Sequence, residues 1–240
     1  MSARLYGVGV GPGAPDLLTL RAAAVLREAA VVAAPRRSTA DASVALRIAR
    51  EAVGEIAGQE TLLLEFPMTR DPEIRRHARE KAARDIAERL GQGRSVAFVT
   101  EGDPLLYSTF LDLLREAPRA FPDAAIEVVP GITSITAVAA AARVPLADGD
   151  GKLAVLPAPA ALDALGSLAR EFDTLLLLKA GPVLPALRAA LSREGLTSRA
   201  LLVCDASTGR ERVVRDLAAC EERPGYFSTI VVTRGAEATP

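Results

Sequence analysis

The chain has 240 residues, half of them apolar, with six Phe, three Tyr and no Trp, which allows one large domain or two small ones with aliphatic cores. Lys plus Arg is 29 against Asp plus Glu 30, a formal net charge of -1, so the whole molecule exerts no long-range pull on nucleic acid or an anionic membrane. No apolar run approaches the roughly 20 residues that span a bilayer, and no basic segment with an apolar signal core opens the chain, so the expectation is a soluble, cytoplasmic protein. Cys204 and Cys220 do not form a Cys-x-x-Cys pair, and the sole histidine, His77, lies in a charged helical stretch. Neither a metal site nor Ser-His-Asp chemistry is expected.

Leu5 to Val10 reads as a short strand running into Gly11-Pro12-Gly13-Ala14-Pro15-Asp16. A helix is expected from Leu17 to Glu28, with Leu17, Leu20, Ala24 and Val25 at helical spacing and Asp16 as its N-cap. Val31 to Ala34 is a strand stopped by Pro35, and Asp41 or Ser43 starts a second helix ending at Gly54. Thr61 to Phe66 is a third strand. Asp71-Pro72-Glu73 is a strong helix start, and the charged helix runs to Leu90 before Gly91 and Gly93. Ser95 to Val99 is a fourth strand, followed by the loop Thr100 to Phe110 and a helical pattern over Leu111 to Glu116. This alternation predicts a parallel sheet with helices on its faces.

Pro118 and Pro122 interrupt the pattern, so the boundary between an N-terminal domain, 1–118, and a C-terminal domain, 123–240, is placed there. Ile126 to Val129 leads into Pro130-Gly131-Ile132-Thr133-Ser134 and an Ala-rich helix to Arg143. Further strands are expected at Leu153 to Leu156, Thr174 to Leu178, Leu201 to Val203 and Tyr226 to Val232, with helices near 160–170 and 182–192. Two α/β lobes are implied.

The loops 11–16, 100–110 and 130–134 each follow an expected strand, so all three can reach one edge, where parallel sheets bind ligands. Their glycines expose backbone groups, Asp103 offers a carboxylate, and Tyr107, Ser108, Thr109, Thr133 and Ser134 offer hydroxyls suited to a nucleoside-like ligand. The same hydroxyls serve as helix caps, Ser108 and Thr133 in particular. Gly9-x-Gly11-x-x-Ala14 formally satisfies a dinucleotide-binding fingerprint. Pro12 and Pro15 sit where its helix should begin, and the acid expected after the second strand is replaced by Arg36 and Arg37, which leaves an NADP-dependent oxidoreductase as an alternative. The glycines also suit a close approach of strand one to another segment.

Gly7 to Thr19, Gly102-Asp103-Pro104 and Pro130 to Ser134 together resemble the tetrapyrrole (corrin/porphyrin) methyltransferases, which use S-adenosylmethionine. Phe66-Pro67-Met68-Thr69, Thr100 to Pro104 with Tyr107 to Phe110, and Lys152 to Ala158 resemble the precorrin-2 C20-methyltransferase branch of cobalamin synthesis. The resemblance covers nearly the whole chain. It implies two α/β domains, the N-terminal sheet mainly parallel and the C-terminal one mixed, with the cofactor in the interdomain cleft and usually a homodimer. Carried over by position, it implies cofactor contacts at Pro12, Glu101, Gly102, Asp103, Leu106, Thr133 and Ser134, and suggests Lys179, Ala180 and Ala206. Relatives often carry a Met-Gly-like pair at Lys179-Ala180, and Asn-Gly-Thr or Ala-Gly-Thr near Ala206, so backbone contacts are the ones expected there.

The implied activity is methylation of C20 of precorrin-2 or cobalt-precorrin-2. Tyr107 and Ser108 face the tetrapyrrole in this reading, Tyr107 orienting the ring, and Arg36, Arg37 and Arg70 are its carboxylate anchors. No catalytic base is assigned and no metal is expected on the protein. Methylation of uroporphyrinogen III at C2 and C7 is the nearest alternative; members with that activity typically continue the Gly-Asp-Pro loop with glycines, whereas this chain continues Leu105 to Phe110. A non-enzymatic nucleotide-binding regulator is the third class.

Overall fold

The apolar runs of the first half become five strands: β1 (Arg4–Gly9), β2 (Val31–Arg36), β3 (Glu60–Glu65), β4 (Val96–Thr100) and β5 (Ala125–Val129). They form one sheet in the order β3-β2-β4-β1-β5 with parallel pairing throughout. Every residue of β4 is buried, as expected of a central strand covered on both faces. Ala97 and Val99 face α1 (Leu20–Glu28) and α2 (Val44–Val53), together with Val8, Val10, Val32 and Ala34. Val96 and Phe98 face the other way, toward α3 (Pro72–Gly91) and α4 (Phe110–Ala120), with Leu5, Val31 and Ala33. The computed structural model describes residues 3–217, 220 and 224–234.

Neighbouring strands β1 and β4 send their chains in opposite directions, β1 through α1 to β2 and β4 through α4 to β5. The two connections cross on opposite faces of the sheet, and the loops at the carboxyl ends of β1 and β4 meet at one edge, the edge at which such sheets usually bind ligands.

Local chemistry explains where the elements start and stop. Asp71 Oδ1 accepts from Glu73 N at 2.9 Å and Ile74 N at 3.2 Å, with Pro72 following. Ser43, not Asp41, caps α2 through Leu46 N. Asp16 caps no long helix. Pro15–Leu17 is a single 3-10 turn, Leu18 is extended, and α1 begins at Leu20, where the Thr19 hydroxyl accepts from Ala22 N. Pro35 does not stop β2, because the β4 ladder has already ended at Ala33 and the missing N–H leaves no bond unmade.

Two compact units, Met1–Thr133 and Ser134–Pro240, account for the chain. The division falls later than the expected 118–123 break. Pro118 is carried within the last turns of α4, Phe121 is buried, and β5 completes the first sheet by pairing with β1.

The second unit contains α5 (Ser134–Ala142), β6 (Leu153–Pro157), α6 (Ala158–Ala161), α7 (Leu165–Glu171), β7 (Thr174–Leu178), α8 (Leu184–Arg193), β8 (Ala200–Cys204), β9 (Arg212–Val214) and β10 (Ser228–Thr233). Its sheet runs β6-β7-β10-β8-β9. β6 and β7 are parallel and the remaining pairs antiparallel, so the sheet is mixed. Val138 and Ala142 of α5 pack on one face against Leu176, Val203 and Val231; α6, α7 and α8 cover the other. The single helix expected over 160–170 is two short ones, and β9 was not anticipated, being three residues long and led by Arg212.

Candidate functional site

Where β1 and β4 end, the backbones of three loops converge. Val10 N donates to Thr100 O at 3.0 Å, and Gly102 N donates to Gly11 O at 2.8 Å. The Gly11–Gly102 bridge is antiparallel although the strands behind it are parallel. Gly102, at φ +67, adopts the left-handed conformation that makes this reversal. A side-chain carbon on Gly9 would lie 2.5 Å from Gly102 O and 2.6 Å from Gly131 N. Strand one therefore approaches the other two loops as closely as backbone allows.

Asp103 locks the convergence. Its Oδ1 accepts from Leu105 N at 2.8 Å and its Oδ2 from Gly131 N at 3.1 Å, tying the loop after β4 to the loop after β5. Ser108 precedes the cap position of α4, which is Thr109; its Oγ accepts from Phe110 N and donates to Thr100 Oγ1, tying the helix start to the end of β4. Tyr107 has φ 53 and is 49% exposed. A bulky residue held in the left-handed region is strained, and such strain concentrates where a side chain must be aimed. Leu105 is also exposed, as is Met68 just after β3, whereas Leu106 is half-buried.

Glu101 is half-buried at the start of the loop. Burial pushes its carboxyl above the ordinary value, while Arg37, after β2, and Arg47, on α2, pull it down. Arg36 is engaged: Nη2 lies 3.1 Å from Glu65 Oε1 and Nη1 donates to Thr39 O, while its buried Nε has no partner. Arg70 is exposed beyond β3. Pro12 is half-buried beyond β1, and Thr133 lies near Gly102, its Cα 3.9 Å from where a side chain there would begin.

Ser134 and the three less direct positions belong to the second unit, where Ser134 opens α5. Strands β6, β7 and β8 run in one sense, so the segments following β7 and β8 leave along one edge of that sheet. Lys179 has φ 59 and its Nζ sits 5.3 Å from the Tyr226 ring centroid; Ala180 is buried, its N–H donating to Ser228 O. Ala206 lies between Asp205 at φ 47 and Ser207 at φ 55.

The arrangement is not that of a dinucleotide fingerprint. Only a three-residue 3-10 turn, Pro15–Leu17, follows the Gly9–Ala14 segment, the α-helix beginning later at Leu20, and the room beside Gly9 is filled by Gly102 and Gly131. The Gly9–Gly131 contact and the action of Arg47 on Glu101 were not legible in the sequence. The glycines themselves were visible, but nothing local says which glycine meets which.

The family model of the tetrapyrrole (corrin/porphyrin) methylases matches residues 4–219. The cobalt-precorrin-2 C(20)-methyltransferase of Salmonella typhimurium is 34% identical over 236 residues, covering 98% of this chain and 98% of that protein. The precorrin-2 C(20)-methyltransferase of Sinorhizobium sp is 33% identical, over 95% of this chain and 94% of that protein. Among solved structures, the uroporphyrin-III C-methyl transferase from Thermus thermophilus complexed with S-adenyl homocysteine has a TM-score of 0.65 at 27% identity, covering 96% of this chain and 97% of that chain.

Proposed function

Because the chain belongs to the tetrapyrrole (corrin/porphyrin) methylases, we propose that it transfers a methyl group from S-adenosylmethionine to C20 of precorrin-2, metal-free or cobalt-bearing, in cobalamin biosynthesis. The observation that carries this reading is end-to-end similarity, at 34% and 33% identity, to two enzymes named for methylation at C20.

The loop edge suits the cofactor. Gly9, Gly102 and Gly131 pack backbone against backbone, so the edge beside them is built largely of main chain, and backbone N–H and C=O groups match the polar edges of a nucleoside and an amino-acid tail. Pro12, Glu101 to Leu106 and Thr133 hold it in this reading, the 101–106 segment chiefly through main-chain atoms. Asp103 keeps that segment in place, since both its oxygens already bind backbone N–H groups.

S-adenosylmethionine supplies an electrophilic methyl group on a sulfonium, so the protein need not supply a nucleophile. Its residues instead orient the acceptor carbon and exclude water. Tyr107 presents a ring to the macrocycle, and Met68 and Leu105 offer exposed apolar surface beside the same edge. Arg70 and Arg36 anchor ring carboxylates in this reading, Arg36 with the N–H groups left over by its bonds to Glu65 and to Thr39 O. The enzyme works as a homodimer in this account.

Incubation with labelled S-adenosylmethionine and precorrin-2, metal-free and cobalt-bearing in parallel, tests the proposal. One methyl group should reach at least one of the two substrates. No transfer to either, with transfer to uroporphyrinogen III, would assign the chain to a different branch of the family; tight NADPH binding without S-adenosylmethionine binding would remove it from methyl transfer.

A further inference from the structure

Five residues other than glycine hold the left-handed backbone conformation among the described residues, and three of them, Lys179, Asp205 and Ser207, stand just past the ends of β7 and β8. Aspartate tolerates that conformation; a lysine there is strained, and strain of this kind clusters where a side chain must be aimed. Glycine is the residue such a backbone accepts without cost. Lysine at this position therefore points to a use for its ammonium.

The segment leading into β10 fixes the surroundings of Lys179. β10 lies between β7 and β8, and the chain before it bonds to the ends of both: Asp205 N donates to Phe227 O at 2.8 Å and Ala180 N to Ser228 O at 2.9 Å. The buried Ser228 hydroxyl accepts from Gly181 N at 2.7 Å and donates to Gly225 O at 2.8 Å. A side-chain carbon on Gly181 would lie 2.2 Å from Gly225 O and 2.3 Å from Pro224 O. The two turns thus touch through main chain, and neither can slide past the other.

On that base sits a small cluster of side chains. Lys179 Nζ lies 5.3 Å from the Tyr226 ring centroid, within reach of cation–π attraction. Tyr226 in turn meets Phe227 edge to face, with centroids 5.4 Å apart at 85°, and Phe227 is 44% exposed. The acids of the β8 turn are engaged elsewhere: Asp205 Oδ1 lies 3.8 Å from Arg210 Nη2, and Glu211 Oε2 accepts from Ser207 N at 2.6 Å. A cation is held beside an exposed apolar ring.

We propose that Lys179 is a carboxylate-binding residue of the second unit, its ammonium aimed by Tyr226 and paired with a carboxylate of the bound ligand. This rests on the functional reading above and goes beyond the backbone contacts that the resemblance implies at this position. Both ligands of that reading carry the group, S-adenosylmethionine on its amino-acid end and the tetrapyrrole on its ring substituents. Phe227 favours the tetrapyrrole, because its ring offers apolar cover to the macrocycle beside the charged contact. A compact ammonium with three donors suits such a carboxylate.

The test compares wild type with Lys179→Met, Lys179→Arg, Lys179→Gly and Tyr226→Leu, measuring KM for precorrin-2 and the calorimetric Kd for S-adenosylmethionine at low and high salt. Lys179→Met should raise the precorrin-2 KM by about 10–100-fold, the loss of one charge-assisted hydrogen bond. Its kcat and its cofactor Kd should stay near those of the wild type. Lys179→Arg should recover most of the loss, and Tyr226→Leu should show a smaller rise. Added salt should raise the wild-type KM more steeply than that of Lys179→Met, since only the wild type has the charge pair to screen. Lys179→Gly relieves the backbone strain, so it should fold at least as well as the wild type yet show the same loss as Lys179→Met.

A rise in the cofactor Kd alone, recovered by Lys179→Arg, would keep the subsite and assign its carboxylate to S-adenosylmethionine. Wild-type constants for both ligands in Lys179→Gly, or a loss that Lys179→Arg does not recover, would overturn the proposal. A wild type that methylates no precorrin would instead defeat the functional reading, and this assignment with it.

Discussion

At Gly9 the space for a single methyl group is already taken by the carbonyl of Gly102 and the amide of Gly131, 2.5 Å and 2.6 Å from where the carbon would sit. These neighbours are backbone and cannot swing aside. Gly9→Ala should therefore destabilise the first unit by about 1–3 kcal/mol, the ordinary cost of forcing an extra carbon into a packed site, and weaken S-adenosylmethionine binding; thermal unfolding and calorimetry check both. An unchanged melting temperature would mean that the loops part more easily than their contacts indicate. The glycine run was visible in the sequence, but its purpose was not, because a dinucleotide turn and a close backbone crossing need the same residue. Asp103 was legible as a site residue, although its engagement with Leu105 and Gly131 depends on a partner 28 positions away.

Glu101 gives a second prediction at this scale, with a definite sign. Its folded value is raised above the ordinary 4.5, so its neutral form favours the folded state. That contribution is complete below the ordinary value and is lost as pH rises through the raised one. Glu101→Gln, which stays neutral, should thus melt higher than the wild type at neutral pH, with the difference vanishing toward pH 4.5 and below.

Among the elements, the start of α3 was read correctly from Asp71, Pro72 and Glu73 because all the information is local. Asp71→Ala removes the acceptor for two helix N–H groups and should cost about 1 kcal/mol in a denaturant titration. The opposite end of α3 depends on distant residues. Arg89 and Arg94 both bind Glu60, at the head of β3, and outweigh the burial that acts against its charge, lowering its carboxyl below 4.5. A lowered carboxyl contributes stability that is present above the ordinary value and lost as pH falls through the folded one. The stability gap between wild type and Glu60→Gln should therefore be full at neutral pH and close under acid conditions below 4.5. Elements were missed where a local signal had two outlets. Asp16 is a good cap residue, yet Thr19 caps the helix once Leu18 turns extended. Pro35 is a strand breaker, yet it falls where no ladder bond is needed.

For the molecule as a whole, strand and helix alternation announced a parallel sheet, and the resemblance implied the mixed second one. Strand order was not readable. That β1 lies between β4 and β5, and that its chain leaves opposite to that of β4, follows from long-range packing; this topology brings segments around residues 9, 102 and 131 together. The division after Thr133 was obscured for a related reason, since two prolines near 118–122 look like a linker until β5 is seen to complete the first sheet. No helix among the described residues is long and apolar enough to cross a membrane.

The central claim is that this protein delivers one methyl group to one carbon. Incubation of precorrin-2, metal-free and cobalt-bearing, with S-adenosylmethionine carrying a carbon-13 methyl, followed by carbon NMR of the product, tests it most directly. The account predicts a single enriched methyl attached to the meso carbon C20. Enrichment at a pyrrole carbon such as C2 or C7, or no enrichment with either substrate, would contradict it.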